Sequence, residues 1–565
     1  MFSASLTSMM FHSFLPDVGP ESGGVARETR DYKTTFDLAD LLSSWTDASI
    51  TQEWPSLPVV GRTAVPVELT QWFGSHVRAD SLPSATFFWG RIPINLLVQF
   101  YREFREIGPE RQYVDLGTTI QASGSGSSFD HDCSAYLART AAGPAQAKIG
   151  AAIIDLGKAS IGSPEDYKKR LRHAVTGNID LSEHAERVLW VLLKRLDQKG
   201  LLNDTTISCA LVRPPSGMLA GGKGCFDQAN AVEMLDAVKD LELQLTKDNL
   251  PAAVNMSLGT HVGPHNGDSP LEEYIAATVI RRQKRFLVAA AGNEGGSGVA
   301  ARREIRANET EFLTLRTGPR CRYLLVEFWW DDAAGTSLTI EANIYEPLAT
   351  GGRAHHGFVR IDPGLVGATL TLAPAGLPAN IVSQSLFHAR CRNSLSCIAF
   401  AITTAQPMLP MLEVKFGLRS VVDVIVNAWI VVCEDPPLTG FVEGGPEGTI
   451  MVPASESGVL SVAGVESSGQ PWEGSSRGPA ATYDSGKAAS RGPLMAHLAE
   501  LGKLGEVGTS YASPRACADA LVAMSDPKKL AQCMDALDVV CQAYGLSRGG
   551  LPPWNARTGF HKIRA

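Results

Sequence analysis

The sequence lacks the features that mark exported and membrane-spanning proteins. The first 26 residues contain no Lys or Arg, so the cationic start of an export signal is missing. No stretch approaches the run of about 18 apolar residues that a membrane span requires. The most apolar late stretch, Val421 to Val432, is short and is interrupted by Asp423 and Asn427. We therefore expect a cytoplasmic protein with no membrane partner.

The ten cysteines are too scattered for a dense disulfide framework or a metal knot. No two of them form a Cys-x-x-Cys pair, and none joins histidines at the spacing of a zinc site. The sequence therefore predicts no bound metal, and the cysteines are expected to be small buried hydrophobic residues. Cys391 and Cys397 could form a disulfide if the protein were in an oxidising compartment, and this alternative is left open.

A strong charge of either sign is also absent. The formal net charge is −8 over 565 residues, which gives no overall attraction to phosphate backbones or anionic membranes. Nucleic acid is therefore not an expected partner. The hydrophobic share of 44% supplies enough apolar material for a large core and for two or three domains.

An α/β domain is predicted from residue 146 onward, because short apolar runs alternate with amphipathic stretches. Most of the apolar runs show no alternation of apolar and polar residues, as expected for parallel strands that are covered on both faces. The predicted strands are Ile149–Asp155, Thr206–Val212, Ala252–Leu258, Phe286–Ala291 and Val459–Val465. The predicted helices include one that starts after Asp180 or Ser182, and the stretches Phe226–Leu243 and Pro270–Arg285.

A β-rich segment between Arg306 and Glu434 interrupts this pattern, with apolar runs separated by Gly, Pro and Asn. We interpret it as an inserted β-sandwich over residues 301–445, between catalytic-domain parts at 146–300 and 446–565. Residues 1–145 form a separate N-terminal region of unknown fold with amphipathic stretches such as Ile94–Ile107. The Ser/Gly-rich run Ser123–Ser128 near its end is typical of a flexible connection.

A candidate nucleophile lies in Gly508–Pro514, a small-residue turn that leads into an apolar helix with Pro514 suited to the first turn. Such a turn exposes the hydroxyl of Ser510 at a helix start, where backbone N–H groups and the helix dipole stabilise a developing negative charge. An ordinary helix cap explains the same residues, because Ser is common at that position.

Three further polar residues follow or flank the predicted strands. Asp155 ends a buried strand, at the edge where ligand crevices of α/β sheets form, although a strand-ending turn also favours Asp. His184 starts an amphipathic helix and is the candidate base, with His173 as a rival. Asn293 ends another strand beside glycines, where an amide can donate to an oxyanion or form a left-handed turn.

Together these pieces resemble the subtilase family of subtilisin-like serine peptidases. Gly508–Pro514 reads Gly-Thr-Ser-Tyr-Ala-Ser-Pro and matches the signature GTSxASP, and Ala289–Gly295 matches the strand end AAAGNEG. Asn255–Gly259 is similar to the strand that lines the family's substrate cleft, and Ser475–Pro479 to its SSRGP turn. The chain order of Asp, His and Ser is also that of subtilisin.

The resemblance covers roughly residues 149–298 and 448–560 and departs from the family in three places. Leu156 stands where Ser or Thr is usual, and His184–Val188 reads His-Ala-Glu-Arg-Val in place of HGTxV. Gly492–His497 lacks the usual APG turn. Only His184 is followed by a valine at the family's offset and by an apolar helix, which favours it over His173. Some subtilases also carry a jelly-roll-like insert before a VPA segment, here Val452–Ala454.

The resemblance implies a serine endopeptidase that hydrolyses a protein or peptide substrate. Asp155 would orient His184, His184 would activate Ser510, and Asn293 would donate to the oxyanion. Ser257, Leu258 and Gly259 would form one wall of the substrate cleft. No organic cofactor is implied, and the sequence decides neither calcium binding nor the oligomeric state.

Two alternatives remain open at this point. A catalytically silent subtilase-like scaffold that binds a partner protein would also carry an inserted sandwich. A latent protease would keep residues 1–145 as a propeptide or docking module, with Ser123–Ser128 as the connection.

Overall fold

The computed structural model describes most of the chain, in segments. The described residues are 56–63, 76–83, 85–93, 112–116, 119–122, 133–159, 171–173, 179–212, 228–280, 282, 284–319, 321, 323–332, 338–347, 350, 352–361, 368–371, 381–390, 395–404, 411–433, 438–483, 492–501 and 506–560. The stretch Ile94–Ile107, the linker Ser123–Ser128 and Cys391 lie outside them.

Helices occupy a modest part of the described chain. The α-helices are α1 (Ser134–Leu137), α2 (Glu183–Gln198), α3 (Ala231–Asp248), α4 (Pro270–Ile275), α5 (Thr509–Met524), α6 (Pro527–Leu530) and α7 (Ala536–Tyr544). A π-helical turn, Ala276–Ile280, continues α4, and short 3-10 turns cover Leu202–Asp204 and Arg548–Gly550.

Strands make up most of the remaining regular structure. They are β1 (Ser56–Thr63), β2 (Val77–Leu82), β3 (Ala85–Pro93), β4 (Gln112–Leu116), β5 (Thr119–Ala122), β6 (Ile149–Ala159), β7 (Arg172–His173), β8 (Ile179–Leu181), β9 (Thr205–Val212), β10 (Gln228–Asn230), β11 (Ala252–Met256), β12 (Leu258–Gly259), β13 (Arg285–Ala290), β14 (Ala300–Ile305), β15 (Thr310–Arg316), β16 (Tyr323–Asp331), β17 (Leu338–Pro347), β18 (Arg353–Ile361), β19 (Ala368–Thr371), β20 (Ile381–Arg390), β21 (Leu395–Thr404), β22 (Glu413–Ser420), β23 (Val424–Cys433), β24 (Gly440–Phe441), β25 (Leu460–Val465) and β26 (Met495–Leu498).

The chain divides into two compact units, and both are discontinuous in sequence. The first unit comprises Met1–Gly117, Ser297–Gly445 and Thr482–Ala488. The second unit comprises Thr118–Gly296, Pro446–Ala481 and Ala489–Ala565.

The first unit contains only β-structure among its described residues. Strands β1 to β4 form a four-stranded antiparallel sheet, and β14 to β24 form a six-stranded and a five-stranded antiparallel sheet. Phe416 of the five-stranded sheet meets Phe328 and Phe400 of the six-stranded sheet edge-on, with ring centroids 4.8 and 5.1 Å apart. These contacts bring apolar faces of the two sheets together, as in a sandwich.

The second unit is built on a parallel sheet with the strand order β26-β25-β13-β11-β6-β9-β7. The strands β6, β9, β11, β13 and β25 correspond to the five runs predicted from the sequence. Strand β6 lies in the middle, and the chain runs outward to β7 and β9 before it crosses to β11 and continues to β26. This reversal of direction between β6 and β11 creates a crevice at the carboxyl ends of the strands.

Two of the predicted helices differ from the observed ones. The helix predicted over Phe226–Leu243 begins at Ala231, because Gln228–Asn230 instead pair as β10 with β5. The helix predicted over Pro270–Arg285 is replaced by α4 and its π-helical turn, since Lys284 adopts a left-handed conformation and Arg285 starts β13. In both places a strand pairing that depends on distant residues sets the boundary.

One predicted strand is divided. Ala252–Leu258 separates into β11, which belongs to the parallel sheet, and β12, which pairs antiparallel with β5. Ser257 lies between them, at the carboxyl edge of the sheet. The break therefore turns the chain out of the sheet next to the crevice.

Candidate active site

The carboxyl edge of the parallel sheet brings Asp155 and His184 into contact. Asp155 lies on β6 with no exposed surface, and His184 is the second residue of α2 and is 3% exposed. The start of α2 is set by Ser182, whose hydroxyl accepts a hydrogen bond from the backbone N–H of Ala185 at 3.1 Å. This cap directs the first turn of α2 toward β6.

The contact fixes how the imidazole is used. Nδ1 of His184 lies 2.7 Å from Oδ1 of Asp155, and the backbone N–H of Leu156 donates to the same oxygen at 2.7 Å. A carboxylate accepts hydrogen bonds, so Nδ1 carries the proton and Nε2 of the neutral ring is left as the basic nitrogen. The pair thus has the tautomer that a general base requires.

The rival His173 lies elsewhere in the sheet. It belongs to β7, an end strand, and pairs in register with Cys209 of β9, whereas Asp155 pairs with Leu211. Strand β9 therefore separates the backbone of His173 from that of Asp155. The hydrogen bond to Asp155 favours His184.

Ser510 is the second residue of α5, next to the same edge. The helix begins at Thr509 after an N-cap at Gly508, so Pro514 is its sixth residue and not part of the first turn as expected from the sequence. Proline has no N–H to donate to the carbonyl of Ser510 four residues earlier. The hydroxyl of Ser257 donates to that carbonyl instead, at 3.0 Å.

Ser257 and Ser510 each donate a hydrogen bond to the other's backbone carbonyl. Oγ of Ser510 donates to the carbonyl oxygen of Ser257 at 3.3 Å. The Ser257 hydroxyl also lies 3.0 Å from Oγ of Ser513 and accepts from Nδ2 of Asn255 at 3.0 Å. The start of α5 is thereby fixed to the segment between β11 and β12.

His184 lies beside this helix start. Its ring centroid is 6.4 Å from that of Tyr511, the residue that follows Ser510. The structure therefore brings Asp155, His184 and the Ser510 segment to one place, although 326 residues separate His184 from Ser510 in the sequence, as 510 − 184 gives.

Asn293 follows β13 at the same edge and is held by Thr509. Its Oδ1 accepts from the backbone N–H of Thr509 and from the Thr509 hydroxyl, both at 2.9 Å. Because a backbone N–H can only donate, the amide atom that faces it is the oxygen. The Nδ2 donor is thus directed away from Thr509.

The proposed substrate wall, Ser257 to Gly259, already has an extended neighbour within the chain. Strand β5 pairs antiparallel with β12, with Ala122 opposite Leu258 and Gln121 opposite Gly259. On its other side β5 pairs antiparallel with β10. A short segment of the chain thus occupies the position that an added peptide strand would take.

Comparison with known proteins gives a likeness in fold. No protein-family model matches the chain, and no curated protein matches it in sequence. The chain is similar in fold to a clostridial protease. The match is to the structure of the Clostridium perfringens CspB protease, with a TM-score of 0.52 and 17% sequence identity, and it covers 74% of this chain and 92% of that chain. This likeness concerns the fold.

A buried polar cluster that the sequence did not suggest lies beside the site. Oε2 of Glu506 accepts from the hydroxyl of Tyr511 at 2.9 Å and lies 3.3 Å from Nη1 of Arg187. Burial and the hydrogen bond to Glu506 raise the pKa of the Tyr511 phenol above its usual range. The cluster connects the helix that carries His184 to the residue after Ser510.

Two absences concern the described residues alone. They contain no group of three or more His, Cys, Asp or Glu side chains arranged to hold a metal ion. None of the helices in the described segments combines the length and the apolar character that a membrane crossing needs.

Proposed function

We propose that this chain is a serine endopeptidase of the subtilisin type. The proposal rests chiefly on the 2.7 Å hydrogen bond between His184 and Asp155 next to the helix start that carries Ser510. An imidazole bonded to a buried carboxylate beside a serine at a helix start is the arrangement from which acyl transfer by an Asp, His and Ser triad can be built. The fold similarity to a protease agrees with this assignment.

In the proposed mechanism, Oγ of Ser510 attacks the carbonyl carbon of a peptide bond while its proton passes to Nε2 of His184. The negative charge on the carbonyl oxygen is stabilised by Nδ2 of Asn293 and by the backbone N–H of Ser510. His184 then gives the proton to the leaving amine as the C–N bond breaks. Water hydrolyses the resulting ester by the same proton route, which restores Ser510. Asp155 holds His184 in its tautomer throughout.

A fluorophosphonate probe tests this proposal, because it reacts only with serines that are made nucleophilic by their surroundings. Wild type should be labelled at Ser510, as located by peptide mass spectrometry. Ser510→Ala and His184→Ala should both lose the label. His173→Ala is the matched control and should keep it. A wild-type chain that is folded yet unlabelled would favour the silent binding scaffold if a variant with a disrupted β5 strand is unlabelled as well.

The pairing of β5 favours a latent state as a refinement of this function. Thr119–Ala122 lie along the wall that a substrate would use, so substrate must displace them. Gln121→Pro removes the backbone N–H from the middle of this sheet and should raise the labelling rate of Ser510. Gln121→Ala keeps the N–H and should label at the wild-type rate. Equal rates for the two variants would contradict latency.

A further inference from the structure

The geometry of the site also indicates which substrate residue it accepts, an inference that rests on the proposed function. The carbonyl attacked by Ser510 has to lie near both Ser510 and Asn293. The substrate residue that contains this carbonyl is therefore flanked by the Ser257–Gly259 wall and by the segment Ala291–Asn293. Its side chain has to enter the space between these two segments.

A third segment closes that space. The backbone N–H of Met451 donates to the carbonyl of Ala291 at 2.9 Å. The neighbouring Val452 exchanges two backbone hydrogen bonds with Thr260, at 2.9 and 3.0 Å. The chain at Met451 and Val452 is thus bonded to both flanking segments and forms a floor between them.

The Met451 side chain fills the gap above this floor. A methyl group added to Gly259 would lie 2.9 Å from Cβ and 3.1 Å from Cε of Met451. A methyl group added to Gly292 would lie 2.7 Å from Cγ of the same side chain. Since Met451 touches glycines of both segments and is only 4% exposed, little room remains for a second large side chain.

Among the described residues, Glu294 is the acidic side chain beside Gly292, and it is already engaged. Oε2 of Glu294 accepts from the backbone N–H of Asn293 at 2.6 Å and from the Ser476 hydroxyl at 3.1 Å. It also lies 3.7 Å from Nε2 of the buried His261. These partners satisfy the carboxylate, so a lysine or arginine of the substrate gains little by reaching it.

We propose that Met451 sets the specificity of the site and restricts the residue whose carbonyl is attacked to Gly, Ala or Ser. Larger residues are excluded because their side chains would overlap the Met451 thioether. Replacement of Met451 by Ala should therefore open the pocket to Leu and Phe.

N-acetyl thiobenzyl esters of Ala, Leu, Phe and Lys test this directly, because such short substrates can enter the pocket without pairing as a strand with β12. Wild type should hydrolyse the Ala ester at least about tenfold faster, in kcat/KM, than the other three. Met451→Ala should raise kcat/KM for the Leu and Phe esters about 10- to 200-fold, which is the range by which hydrophobic pockets discriminate substrates of different size. The Ala ester should change by less than about threefold.

Controls separate this inference from the proposed function. Met524→Ala removes a similarly buried methionine near the far end of α5, about 20 Å along the helix from Ser510, and should leave the ester preference unchanged. Met451→Leu, which keeps the volume, should retain the wild-type preference. A wild type that prefers Phe or Lys, or a labelled Met451→Ala with unchanged preference, overturns the inference alone. Absence of fluorophosphonate labelling in wild type overturns both.

Discussion

Replacement of Asn293 tests the site most sharply, because its amide has two separable tasks. Oδ1 accepts two hydrogen bonds from Thr509, at 2.9 Å each, which is a structural role. Nδ2 is the donor assigned to the oxyanion. Asn293→Ala removes both functions, whereas Asn293→Asp keeps the acceptor for Thr509 and removes only the donor.

The expected magnitudes differ accordingly. Loss of one oxyanion donor costs about 10²–10³ in rate, so both variants should react with the fluorophosphonate at least 100-fold more slowly, to order of magnitude. Asn293→Ala also leaves the buried Thr509 N–H unpaired, which costs about 1–3 kcal/mol of unfolding free energy. Asn293→Asp should unfold at nearly the wild-type denaturant concentration.

Second-order labelling rates and urea unfolding curves measure the two effects separately. An Asn293→Asp variant that labels at the wild-type rate would refute the oxyanion role. An Asn293→Ala variant with unchanged stability would refute the structural role of Oδ1.

The remaining predictions concern buried charges. Tyr511→Phe removes a hydrogen bond to Glu506 and should lower the unfolding free energy by about 1 kcal/mol in urea titrations. Burial raises the pKa of Glu272 from 4.5 to about 7, so the protonated group stabilises the fold at acidic pH. On the order of 3 kcal/mol of unfolding free energy is therefore lost as the pH rises from 4.5 to 7. Glu272→Gln should flatten the dependence of stability on pH over this range. Arg195→Ala breaks a two-bond contact with Asp519, with both distances 3.0 Å, and should cost about 1–3 kcal/mol at pH 7. Burial alone would raise the pKa of Asp519, but His497 and Arg195 hold it below its usual range. The stability lost in Arg195→Ala should therefore become smaller in acid, where Asp519 is protonated. A pH-independent loss would contradict that reading.

The parallel sheet was predictable because its strands are fully buried and their sequences are locally unambiguous. Ile149–Asp155 and Phe286–Ala291 were recognised from apolar composition alone, and the observed strands β6 and β13 begin within one residue of these predictions. By contrast, Gln228–Asn230 carry no strand signal. They form β10 only because β5, more than 100 residues earlier in the sequence, lies beside them.

The candidate site shows the same division between local and distant information. His184 and Ser510 stand at helix starts and Asn293 follows a strand, which are local signals. Asp155 ends the predicted strand, although β6 continues to Ala159 and only its parallel pairing with β11 stops at Ile154. Met451 has no such signal, since its role depends on lying between Gly259 and Gly292, which belong to different segments. Spacing could not have identified it. The β-rich segment 301–445 separates it in sequence from both glycines.

Two residues at variable positions of the subtilase-like segments contribute to one buried contact. Arg187 occupies the variable position of the His184–Val188 segment, and Tyr511 occupies the variable position of the serine signature. Both contact Glu506 in a buried cluster, where Arg187 is 2% and Glu506 9% exposed. A buried Arg is costly unless it is paired, and Glu506 supplies the charge that pairs it. Glu506 also binds Tyr511, so the interaction that satisfies Arg187 holds the first turn of α2 against the start of α5. Two residues at positions where the pattern allows any side chain thus contribute to one contact, between the helix that carries His184 and the helix that carries Ser510.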